Sequence, residues 1–212
     1  MPSQALQTFE FLIENVDQLI EIHGRLQTGR GRRHQQEALH RAGVVMSVGA
    51  WESYVESVLL EAVELLSNNL QGAGGAQPAP RWAQITFAVA MQSVENKVSQ
   101  FHTPNAENVQ RIFRESIGFD PWPHWSWFAR RRQWNGAEMR QRLNSWLKIR
   151  HGIAHGAGLP TNIDWIQADN GNPRLTRRLL QECRRFVGRL AEQTDSAMRG
   201  FLVNQHGIAN PW

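Results

Sequence analysis

From His34 to Asn69 apolar side chains return every three or four residues, at Val44, Val48, Trp51, Val55, Val58, Ala62 and Leu65. That period places them on one stripe of an α-helix; on a strand they would scatter over both faces. A helix of this length with an unbroken apolar stripe needs partners along most of it. Gly43 and Gly49 interrupt the segment. Glycine weakens a helix interior, and its use here suits a close approach by a second helix.

The partners can be read on either side. Leu6, Phe9, Ile13, Val16, Ile20 and Leu26 predict an amphipathic helix over 4–27. Trp82 to Phe101 predicts another. Thr103-Pro104 then opens a short helix through Ile117, with threonine as cap and proline in the first turn. Asn172-Pro173 caps a last long helix, with Leu175, Leu179, Cys183, Phe186, Leu190 and Ala197 on its buried side. TGRGRR at 28–33 reads as a flexible basic turn, QGAGGAQPAP at 71–80 as a loop, and 204–212 shows no period. No repeat and no reliable strand alternation is present. The fold class is therefore all-α, an antiparallel bundle of about five to six helices. At 212 residues it is expected to be one domain, or one domain with an arm.

Asn135 to Gly158 starts another helix and carries the chemistry. Asn135 can cap the first turn while Glu138 reaches back, as in a capping box. Met139, Leu143, Trp146, Leu147, Ile153 and Ala154 form its apolar face, to be packed against the 34–69 helix. Arg150 falls on the same stripe. A guanidinium there needs an anion, an acceptor network or an opening to solvent. His151 is next, His155 lies one turn later, and Gly156 and Gly158 offer a left-handed stop. A plainer reading has Arg150 favouring the helix dipole and the histidines on the surface.

Other features bear on function less directly. Net charge is only +4, yet the basic residues are almost all arginine, with lysine only at Lys97 and Lys148. Arginine suits phosphate, but a GC-rich genome gives the same bias. Trp122, Trp125, Trp127 and Trp134 surround Arg130, Arg131 and Arg132. These could stack bases and hold phosphates, although covering an open end of the bundle is the stronger reading. Cys183, the single cysteine, excludes an internal disulfide and a cysteine-rich zinc site, and its stripe makes it inert. His151 and His155 have a zinc-like spacing without the accompanying glutamate, so no metal and no cofactor is expected. No membrane-length apolar run and no basic-then-apolar leader is present, which predicts a cytosolic chain without a membrane partner.

Arg150-His151-Gly152-Ile153-Ala154-His155 resembles the signature of HEPN domains: an arginine, a polar residue, a spacer and a histidine. Trp51-Glu52-Ser53-Tyr54-Val55-Glu56 resembles a helix of the RiboL-PSP-like branch of that superfamily. The resemblance covers residues 35–200, with the 4–27 helix packed on that core. Position 151 departs from the commoner asparagine. The resemblance implies a metal-independent endoribonuclease, of a toxin, phage-defence or stress system, with RNA as substrate and an antitoxin or regulatory protein as a possible partner. It implies that Arg150 binds the scissile phosphate, that His155 transfers a proton or contacts phosphate, and that His151 orients the substrate or its partner histidine.

Chemistry agrees with those residue types. Metal-free cleavage of RNA needs a base for the 2′-hydroxyl, an acid for the leaving oxygen and positive charge at the phosphorane. Residues five apart on a straight helix, however, point about 140° away from each other. Either the helix breaks at Gly152, or two copies of the motif meet. HEPN ribonucleases are understood to use the second arrangement, a homodimer. Glu52 is the expected salt-bridge partner that holds Arg150. A non-catalytic module that binds RNA, nucleotide or protein, and a purely structural helical dimer, are the competing readings.

Overall fold

The computed structural model describes residues 1–25, 36–73, 77–129, 132–168 and 171–212. Six α-helices run through them: α1 (Gln4–Arg25), α2 (Glu37–Leu70), α3 (Arg81–Ser99), α4 (Ala106–Ile117), α5 (Gly136–Ala154) and α6 (Arg177–His206). The 28–33 turn and part of the 71–80 loop lie outside the described residues. No described helix is long and apolar enough to cross a membrane.

The predicted stripe makes α2 the axis of the fold. It packs against α1, α6, α5 and α3, so Ala50, Tyr54, Leu59, Val63 and Leu66 are buried alongside the stripe itself. A helix apolar on more than one side has to be enclosed. Gly43 shows how closely: a Cβ there would lie 2.6 Å from Leu180 Cδ1 of α6, whereas one at Gly49 would meet nothing within 4 Å. Close approach therefore explains the first glycine alone.

α1 is secured at its start by long-range partners. The backbone N–H groups of Gln4 and Ala5 donate to the Glu61 carboxylate of α2 at 3.1 and 3.0 Å. Ser3 Oγ accepts from Leu6 N and donates to Asp195 of α6. Further along, Arg184 of α6 grips Asp17 through Nε and Nη2, the latter at 2.7 Å. Charge-assisted bonds of this forked kind fix orientation as well as distance.

Two helix starts differ from the sequence reading. α4 begins at Ala106, because the Asn105 side chain accepts from Asn108 N at 2.7 Å; Thr103 is not the cap, and Pro104 precedes the first turn with its carbonyl bonded to Trp51 Nε1. α6 begins at Arg177 with Thr176 as cap. Pro173 bridges Gln167, and Arg174 N donates to Ile166 O at 2.8 Å, which commits 173–174 to extended backbone. The tail after Asn204 is partly helical, since α6 runs to His206.

A short hairpin, unforeseen in the sequence, pairs β1 (Trp127–Ala129) with β2 (Arg132–Trp134) in antiparallel register. Three residues per strand are too few to show alternation. Just before it Trp125 is fully buried, with its indole N–H on Thr194 Oγ1 at 3.0 Å and its ring against Trp51. That placement agrees with the covering role.

Candidate active site

α5 is set by its first turn. Asn135 accepts from Glu138 N at 3.0 Å while Glu138 accepts from Asn135 N at 2.9 Å, the reciprocal capping box expected from the sequence. Met139, Leu143, Trp146 and Leu147 are buried as predicted, with Ile149 in addition. Toward the end the stripe changes: Ile153 is half-buried and Ala154 is exposed.

Arg150 lies where the stripe leaves the core. Its guanidinium Nη2 pairs with Glu52 Oε2 of α2 at 3.5 Å; the two side chains are 28% and 16% exposed. The ion pair anticipated from the sequence is thus present and half-buried. Arg150 Nε is buried with no hydrogen-bond partner among the described residues. The guanidinium carries five donors and its anchor uses Nη2, so the partly exposed remainder can meet an anion without losing that anchor.

The surroundings of Glu52 are more charged than the sequence suggested. Glu56, one turn along α2, and His102, in the link between α3 and α4, both act on it. Burial raises the Glu52 carboxyl above its ordinary value; Arg150 opposes this, Glu56 adds to it, and His102 again opposes. Burial raises Glu56 as well, with His102 pulling the other way. Glu56 stands in the quoted WESYVE segment, at the spacing that puts it on the Glu52 face. His102 has no sequence signal, since only the fold carries it there.

The two histidines are exposed at the end of the helix, with ring centroids 4.2 Å apart. α5 does not break at Gly152: it continues to Ala154, with His155 as its C-cap and His155 N bonded to His151 O at 3.0 Å. Of the two expected arrangements, the helix break is therefore not the one adopted. The glycine serves a close contact. Gly156 and Gly158 take φ of 67° and 81°, a left-handed region that side chains avoid. They turn the chain so that the Gly158 carbonyl lies directly against Gly152, where any Cβ would collide with it. His155 is held in that turn, away from Arg150 around the helix. One chain brings Arg150 and Glu52 together, and His151 and His155 together.

The remaining candidates separate. Arg130 and Arg131 lie outside the described residues, and so does the Arg132 side chain. Cys183 is fully buried and its thiol is pushed up by burial, as suits a core residue. Among the described residues, no three His, Cys, Asp or Glu side chains gather to hold a metal ion.

The model of the RiboL-PSP-HEPN family matches residues 10–199. That span runs from within α1 into α6. Searches of curated proteins and of solved structures give no match.

Proposed function

The chain belongs to the RiboL-PSP-HEPN family, and from that premise we propose that it is a metal-independent endoribonuclease whose cleft is shared by two copies of the chain. The observation that carries the reading is the anchored, half-buried Arg150 on α5, followed within five residues by two exposed histidines. Arg150 binds the non-bridging oxygens of the scissile phosphate, where charge grows as the phosphorane forms. His155 of one copy removes the proton from the 2′-hydroxyl. That oxygen attacks phosphorus, and the bond to the 5′-oxygen breaks. His155 of the second copy returns a proton to the leaving oxygen. The products carry a 2′,3′-cyclic phosphate and a 5′-hydroxyl. His151, whose ring lies 4.2 Å from that of His155, orients the substrate or its neighbour. Glu52 positions Arg150.

A two-fold arrangement follows from divergence around the helix: Arg150 and His155 point apart on one α5, and a facing α5 supplies the complement. The whole chain acts as one domain in this reading. Its setting is a toxin, phage-defence or stress system, with an antitoxin or regulatory protein to restrain it.

The test uses purified wild type, Arg150→Ala and His155→Ala with labelled single-stranded RNA in EDTA, and circular dichroism on each. Cleavage by wild type alone, leaving 2′,3′-cyclic phosphate ends, is expected. Cleavage that disappears with EDTA, or persists in both variants, refutes the mechanism. RNA binding without turnover would move the protein to a non-catalytic binding module.

A further inference from the structure

A second concentration of chemistry lies away from the motif, in a groove of about 620 Å³ between the β-hairpin, the start of α5 and one face of α6. Its α6 wall carries Arg178, Arg185 and Arg189, all exposed. At positions i, i+7 and i+11 they share one helix face and span about 16 Å along it. Glu182 and Arg142 also line the groove but pair with each other, and the Arg142 guanidinium is stacked 3.5 Å over the Trp165 ring. The groove therefore keeps three arginines without a carboxylate partner among the described residues.

Its other wall is aromatic. The Trp127 ring packs on Phe186 at 5.7 Å, and the Arg189 guanidinium stands 5.9 Å from the Trp127 ring. Beside it, Phe128 is 68% exposed. An uncovered phenyl ring that lines the same groove as three guanidiniums suits a ligand with both flat apolar faces and regularly spaced negative charge. An acidic peptide supplies the charge without the faces. A duplex keeps its bases stacked inside, out of reach of Phe128. A single strand offers both.

We propose that this groove binds single-stranded RNA, with bases stacking on Phe128 and Trp127 and phosphates on Arg178, Arg185 and Arg189. It deepens the nuclease reading, and rests on it for the choice of RNA, by naming where the strand is gripped away from the cut. α5 joins the two sites as one rigid piece: Arg142 at the groove and Arg150 at the motif are eight residues, about 12 Å, apart along it.

Binding is measured in the full chain carrying His155→Ala, so that cleavage does not interfere. The probe is a fluorescein-labelled oligouridylate about ten nucleotides long, within the ~4–16 nucleotides that such surfaces cover. Phe128→Ala is expected to weaken binding roughly 5- to 150-fold, and to leave binding of an abasic strand of equal length unchanged. Arg185→Ala with Arg189→Ala should lower the slope of log affinity against log salt by about 1.4. Arg178→Glu is a further exposed variant that keeps the helix, and should also weaken binding. All these side chains are exposed, and melting curves check the fold. Unchanged affinity in every variant, or no binding by the parent, overturns the groove. Wild-type cleavage is scored separately: groove-dependent binding without cleavage removes the nuclease and keeps the groove, whereas cleavage with groove-independent binding does the reverse.

Discussion

Gly152→Ala should destabilise the protein and disable it together, although alanine is the better helix former. Gly152 is buried in α5 with helical backbone. Replacement there would, on propensity alone, stabilise by about 0.5–1 kcal/mol. The added methyl instead meets the Gly158 carbonyl oxygen, which is backbone and cannot rotate away. Restoring ordinary contact, about 3.5–4.0 Å between heavy atoms, moves the 155–158 turn by about 1 Å or more. Overpacking of this kind costs about 1–3 kcal/mol, so the net loss lies between about 0 and 2.5 kcal/mol after the propensity gain is subtracted. For a chain of this size each kcal/mol moves Tm by about 2–4 °C. His155 travels with the turn, and a misplacement of about 1 Å can lower a rate about 100-fold. Gly49→Ala is the matched control, since its methyl meets nothing within 4 Å; it should raise Tm by about 1–4 °C and leave cleavage alone. Differential scanning calorimetry and the RNA assay read both variants. If Gly152→Ala proves as stable as Gly49→Ala and cleaves as well, the turn does not press on α5 and the account of the motif's glycine is wrong.

Three further outcomes follow from particular contacts. Glu52→Gln keeps the shape but removes the charge opposite Arg150; for a partly exposed pair that is about 1 kcal/mol, hence roughly a fivefold slower cleavage, and unchanged stability and rate would remove Glu52 from the site. His40 is buried against His23, with its Nδ1 3.1 Å from Leu175 O, and its pKa is lowered from 6.5 by burial first and then by His23 and Arg174, against the pull of Leu175 O and Glu37. A group lowered in this way stays neutral in the fold while the unfolded chain takes up a proton, so its contribution is complete above 6.5 and shrinks as pH falls through the lowered value. Melting curves above and below that pH should converge in His40→Gln, with the lowered His206 titrating alike in both proteins; an equal acid shift in the two would refute the assignment. Thr194→Val keeps the shape but deletes the hydroxyl that accepts from Trp125 Nε1, leaving a buried indole N–H without its partner, and is expected to lose about 1–3 kcal/mol in urea unfolding, a null result placing no weight on that bond.

The fold was readable where it depends on period. The 34–69 stripe predicted α2, and burial on further sides of that same helix is what makes it the centre of the bundle. Local chemistry was readable too: the Asn135–Glu138 capping box involves residues three apart and needs no tertiary help. Starts that depend on distant partners were not. The Pro104 carbonyl is committed to Trp51 from α2, and the Pro173 segment to the strand-like bridge at Gln167. Both displace a helix start that propensity alone put earlier. The hairpin escaped notice because its cross-strand pair, Trp127 and Trp134, spans a register that strands of three residues do not encode.

The same division runs through the site. Arg150, His151 and His155 are near neighbours on α5, and the apolar stripe alone marked Arg150 as needing an anion. Glu52 was recoverable because its own segment carried a second resemblance, and the ion pair between them joins helices 98 residues apart in sequence. His102 had no such help: it lies in a link, next to no motif, and reaches Glu52 and Glu56 only because α3 returns along α2 and ends there. Its effect is electrostatic, opposing the burial that raises both carboxyls. A group of that kind is defined by what it faces, not by its neighbours in the chain. The groove on α6 obeys the same rule, since Arg178, Arg185 and Arg189 share it with Phe128 only through the packing of the hairpin beside α6.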